Sequence, residues 1–174
     1  MLAAVGPRRV VQEVIPVTSI EPTLDKALIG AAGVHFVAAE LSLRGLIALP
    51  TIRNTAGIDL VVVNKSGTWQ ANLQVKSSRS KVGFWPIGKH YESWRGPNNS
   101  YVFARYLKAE GRFEAFLETA QGVAEQVAAR VADERARGLK EWAPCWYLQG
   151  DNERVRRQWI EFGRDKAECK EGTS

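Results

Sequence analysis

The chain has 174 residues, 45% of them hydrophobic and 25% charged, which is enough for one domain with a real core and too few for two comfortable ones. Its formal net charge of +5 suits an anionic partner, and equally serves solubility. Two cysteines (Cys145 and Cys169) and two histidines (His35 and His90), all scattered, argue against a zinc site and for free thiols in a reducing compartment. The N-terminus lacks an apolar leader run and no later run reads as a bilayer span. A cytoplasmic protein without a membrane partner is therefore expected.

Residues 1–22 mix Val and Ile with Pro7, Pro16 and Pro22 and hold no sustained period. They suit a loosely ordered arm, or one that docks on a partner subunit. Residues 23–163 are expected to form one domain and 164–174 a charged, frayed tail. The first element is a helix predicted over 24–44. Thr23 is its N-cap, and Leu28, Ala31, Ala32, Phe36, Ala39 and Leu43 recur at helical spacing. Gly45 stands just past its end. The small residues Gly30, Ala31, Ala32 and Gly33 would let this helix lie close to a sheet. His35 reads as a packed helix residue.

Residues 46–52 read as a first strand, and 53–55 as a polar connection. A β-hairpin follows over 57–78, turning at Asn64-Lys65-Ser66-Gly67. Pairing Val63 with Thr68 sets Asp59 opposite Asn72. Alternation then puts Ile58, Leu60, Val62, Ala71, Leu73 and Val75 on one apolar face, and Asp59, Asn72, Gln74 and Lys76 on the other. In that register Asp59 and Gln74 are diagonal neighbours, roughly 7 Å apart by Cα.

Residues 79–100 read as irregular, interleaving Arg79, Lys81, Lys89 and Arg95 with Phe84, Trp85, Tyr91 and Trp94. With Arg53, these cations are candidate phosphate contacts, while most of the aromatics are expected to fill a local core. Strands are predicted over 101–107 and 112–117. A helix over 120–137 has Val123, Val127 and Val131 as a narrow stripe and is expected to be peripheral. Residues 142–148 read as a short strand or loop. A last helix, capped by Asp151, packs Val155, Trp159 and Phe162 and ends at Gly163. Arg154, Arg156 and Arg157 are expected on its exposed face.

A carboxylate and an amide oxygen on one strand face can hold a hard divalent ion, which polarises a phosphodiester, and a lysine two residues on can stabilise charge building on the phosphate. The order Gly57-Ile58-Asp59-Leu60 and then Gln74-Val75-Lys76, after the helix GAAGVHFVAAELSLRG and a strand, resembles the core of the PD-(D/E)XK, or restriction-endonuclease-like, nuclease superfamily. The match is to its Gln-x-Lys variant. It covers residues 24–78 well, and 101–162 only in general plan.

The resemblance implies an α/β fold with a mixed central sheet flanked by helices, in the order α-β-β-β-α/loop-β-β-α. It implies Asp59, Gln74 and the Val75 backbone carbonyl as metal ligands, Lys76 as the catalytic lysine, and weakly bound Mg²⁺ or Mn²⁺ as cofactor. DNA is the implied partner and a homodimer a further expectation. The activity implied is metal-dependent endonucleolytic hydrolysis. The alternative is a degenerate member acting as a DNA-binding or protein-interaction module, because Val34 occupies the opening helix's usual acidic position and Gln74 is neutral.

Overall fold

The computed structural model describes residues 25–52, 57–79, 83–140, 143–148, 150 and 152–167. Thr23, Arg53, Lys81, Asp151, Cys169, the arm 1–22 and the tail beyond residue 167 lie outside the described residues. The chain runs α1 (Lys26–Leu43), β1 (Ile47–Pro50), β2 (Leu60–Val63), β3 (Gln70–Ser78), β4 (Phe84–Pro86), a 3₁₀ turn (Lys89–Glu92), β5 (Asn99–Leu107), β6 (Arg112–Thr119), α2 (Ala120–Ala136), β7 (Cys145–Tyr147), α3 (Asn152–Glu161) and α4 (Arg164–Ala167). A five-stranded mixed sheet has the order β1-β2-β3-β5-β6, parallel only between β3 and β5, and helices flank it.

α1 starts at Asp25, whose carboxylate accepts from the Ala27 N–H at 3.4 Å. It ends in a Schellman motif: the Gly45 N–H donates to Ser42 O at 2.9 Å and the Leu46 N–H to Leu41 O at 3.1 Å, with Gly45 at φ 84°. The expected buried face is wrong. Ile29, Gly33, Val37 and Leu41 face the sheet, while Leu28 and Leu43 are 59% and 85% exposed. Ala31, Ala32, Ala39 and His35 are exposed as well, and Phe36 is half-buried. Apolar residues surround α1, so periodicity alone does not choose a side. Gly33 chooses it: a Cβ there would stand 1.9 Å from Ser77 Oγ, so only glycine lets α1 approach β3 this closely. By length and composition α1 would also pass as a bilayer span, contrary to expectation, yet its buried face packs on the sheet as a core helix does.

The hairpin turns at Asn64–Gly67 as expected, with the Gly67 N–H donating to Asn64 O at 3.0 Å. The Asn64 side chain then takes the Trp69 N–H at 3.1 Å and donates to Thr68 at 2.9 Å, which lengthens the loop. Pairing therefore starts at Val63↔Gln70, two residues later than predicted. A shift of two preserves the side-chain alternation, so both faces survive.

One sheet face packs Leu60, Val62, Leu73, Val75, Val102 and Leu117 against Val37 and Leu41 of α1 and Trp159 of α3. The opposite face, on β5 and β6, buries Tyr101, Phe103 and Phe116 under Val123, Ala124 and Val127 of α2. α2 is therefore part of the core, not peripheral; its alanines widen the valine stripe. The stretch expected to be irregular supplies β4, which pairs with β7 in a second, two-stranded sheet. Trp85 and Trp146 pair across it and pack on Phe103. The segment 164–167, expected to fray, forms the short α4.

Candidate functional site

Asp59 sits at the entry to β2, fixed on both sides by the sheet. Its N–H donates to Leu73 O at 2.9 Å, and its carbonyl accepts from the Thr51 N–H at 3.0 Å. The two-residue shift of register places it directly across from Gln74 rather than diagonally, one position beyond the pair Leu60↔Leu73. Its carboxylate also reaches the backbone of β3: Asp59 Oδ2 accepts from the Val75 N–H at 2.8 Å. One carboxylate oxygen is thus structural, while Oδ1 has no hydrogen-bond partner among the described residues.

Gln74 and Lys76 follow on the same face of β3, beside Tyr101 and Phe103 of β5 in register. All three members of the trio are half-buried. Burial lowers the pKa of the Lys76 ammonium from its ordinary 10.5, and the neighbouring Asp59 carboxylate works against that shift. The lysine and aspartate therefore interact, and the cation is partly stripped of water. Tyr101, beside Gln74, has its phenol pushed up to about 12 by burial. It supplies an apolar wall rather than a proton.

Trp94 closes one side of this face. Its ring meets Tyr101 edge-on at 4.8 Å, and its Nε1 lies 3.5 Å from where a Cβ on Gly57 would be. Trp85 and Tyr91, 1% and 7% exposed, belong to the core as expected. Of the candidate phosphate contacts, Lys89 and Arg95 are exposed on the connection from β4 to β5, and Arg95 directly follows Trp94. Arg79 is exposed just past the end of β3 and already engaged in a contact of its own. Arg53 and Lys81 lie outside the described residues.

The described residues contain no group of three or more His, Cys, Asp or Glu side chains that could hold a metal. The oxygens available to a divalent ion are Asp59 Oδ1, the Gln74 amide and backbone carbonyls such as that of Val75. This set suits a hard ion that keeps much of its water, and not a tightly held one.

Sequence reading missed a second polar cluster, on β6. Glu114 and Glu118 flank Phe116 and are buried, at 9% and 3% exposure. Glu114 takes Arg105 and, at 2.9 Å, Arg156; Glu118 takes Arg154 and, at 3.3 Å, Gln126. Arg154, Arg156 and Arg157 are exposed on α3 as expected, and the first two also fasten α3 to β6. The available signal was glutamate on both sides of a phenylalanine in a strand, with arginines in a later helix. No family model, curated protein or solved structure matches the chain.

Proposed function

We propose that this protein is a divalent-metal-dependent DNA endonuclease built on a restriction-endonuclease-like core. The observation that carries the reading is the joint placement of Asp59, Gln74 and a partly desolvated Lys76 on one sheet face, with Asp59 Oδ1 uncommitted. Mg²⁺ or Mn²⁺ would be held by Asp59, Gln74 and the Val75 carbonyl; the chemistry such an ion supplies when bound is Lewis-acid polarisation of a phosphoryl oxygen. Asp59 positions itself through the Val75 N–H, so its free oxygen points from a rigid strand. Lys76 donates hydrogen bonds to a phosphate oxygen on which charge builds, and its half-burial strengthens that interaction. Lys89 and Arg95, with Arg79, extend the positive surface toward neighbouring phosphates.

A second reading, a DNA-binding module without hydrolysis, is favoured by Asp59 being the only carboxylate of the trio. Nicking of supercoiled plasmid and of branched DNA in Mg²⁺ or Mn²⁺ tests both. The wild type is expected to nick, and Asp59→Asn or Lys76→Met to lose on the order of 10²-fold or more. Nicking unchanged in both variants overturns the assigned roles. Salt-dependent DNA binding without nicking selects the second reading, since phosphate contacts weaken as salt rises. Neither nicking nor DNA binding overturns both.

A further inference from the structure

A cavity of about 550 Å³ opens at the carboxyl end of β3, between the first turn of α1 and β4. Its volume falls in the range of small-molecule sites, about 300–1,000 Å³. One wall is apolar, formed by Ile29, Phe84 and Pro86; the other carries Lys26, Arg79 and the serines Ser77 and Ser78. Lys26 is exposed and has no carboxylate partner among the described residues, whereas Arg79 keeps a further contact. Phe84 is 36% exposed and stacks on Tyr147 at 5.9 Å, which holds the ring in place. Ser77 lines the cavity too, but its Oγ is buried against Gly33, with no hydrogen-bond partner among the described residues. Among the described residues the one opposing charge on this turn is Asp25, whose carboxylate is engaged in capping Ala27.

The two walls select the ligand together. A purely apolar molecule would leave the Lys26 ammonium without a counter-charge, and inorganic phosphate would leave the Phe84 wall wet. A planar ring joined to a phosphate satisfies both, by stacking and by charge-assisted hydrogen bonding. We propose that this cavity binds a single nucleotide, its base against Phe84 and its phosphate at Lys26 and Arg79. The proposal deepens the endonuclease reading and rests on it only for the origin of the nucleotide. Ser78 lies two residues beyond Lys76 on β3, roughly 7 Å along the strand, so the pocket flanks the candidate catalytic lysine.

A free mononucleotide and the terminal nucleotide of a strand share this chemistry. Calorimetric titration of the full-length protein with a deoxynucleoside 5′-monophosphate, and with a short oligonucleotide bearing or lacking a 5′-phosphate, tests the pocket and separates the two sources. The mononucleotide is expected to bind about tenfold or more tightly than inorganic phosphate or the unphosphorylated nucleoside. Lys26→Gln and Phe84→Ala should each weaken it by a similar factor. Phe84→Leu keeps apolar bulk without the ring, so it should weaken binding while the melting curve stays close to wild type. Tighter binding of the 5′-phosphorylated oligonucleotide supports a strand end, and binding of the mononucleotide alone supports the free ligand. Asp59→Asn should leave nucleotide binding unchanged, and a wild-type protein that binds the nucleotide but does not nick removes the endonuclease reading and keeps the pocket. Absence of binding at millimolar nucleotide, affinity indifferent to Lys26→Gln and both Phe84 variants, or loss with Asp59→Asn overturns the proposal.

Discussion

Gly33→Ala is the substitution whose cost is best defined by the geometry. The new Cβ would stand 1.9 Å from Ser77 Oγ, 3.0 Å from Ser77 Cβ and 3.6 Å from Ala104 Cβ. Rotating the serine about χ1 moves Oγ away, yet the 3.0 Å contact with its Cβ remains, so α1 or β3 must also give by a few tenths of an ångström. Overpacking of this kind costs about 1–3 kcal/mol, from which any gain in helix propensity of about 1 kcal/mol is subtracted. The expected net loss of up to about 2 kcal/mol lowers the melting temperature by up to roughly 8 °C for a chain of this size. Ser77→Ala makes the argument sharper. It removes a buried hydroxyl without a partner, which relieves about 1 kcal/mol, and it removes the atom closest to the new methyl. Urea and thermal unfolding of the two single variants and the double variant form a cycle. Ser77→Ala should be neutral or stabilising, and Gly33→Ala should cost less on that background than on the wild type. Additive single-variant effects would refute the close approach of α1 to β3 as the determinant of the buried helix face.

Asp59→Ala should cost about 1–3 kcal/mol in urea unfolding, because the Val75 N–H loses its acceptor, whereas Asp59→Asn keeps an acceptor and should cost less. Equal costs would remove the structural role of Oδ2. Lys76 binds its proton more weakly folded than unfolded, so between its lowered native pKa and 10.5 the unfolded chain holds more protons and stability rises with pH. Unfolding of wild type and Lys76→Met across this alkaline window should therefore show the wild type gaining relative to the variant as pH rises, and a flat or opposite difference would contradict burial as the dominant influence. Gln74→Glu adds a charge beside Asp59 and should lower the Mg²⁺ or Mn²⁺ concentration needed for half-maximal nicking; an unchanged requirement would take Gln74 out of the ligand set. Arg154→Ala leaves the buried Glu118 with Gln126 and a backbone N–H and should cost about 1–2 kcal/mol, more than Arg156→Ala, after which Arg105 still serves Glu114. Thermal melts giving the reverse order would refute this partition.

Much of the local architecture was legible in the residues alone. Gly45 marks the end of α1 because the Schellman geometry needs a positive φ there. Asn64–Gly67 turns because its residues favour that geometry, and the period of two along β2 and β3 assigns Asp59, Gln74 and Lys76 to one face in any register shifted by an even number. These features depend on neighbours in sequence, and the side chains carry the information. The exact pairing of Asp59 with Gln74 was not legible, because the Asn64 side chain lengthened the loop and moved the register by two. The buried face of α1 was decided by Gly33 meeting Ser77, a contact between residues far apart in sequence on a helix apolar all round. The burial of α2, the second sheet joining Phe84–Pro86 to Cys145–Tyr147, and the arginines of α3 reaching Glu114 and Glu118 have the same origin. The chain's own pattern determined which residues share a strand face; packing between distant segments decided which faces meet, how close they come, and therefore that Lys76 is half-stripped of water beside Asp59.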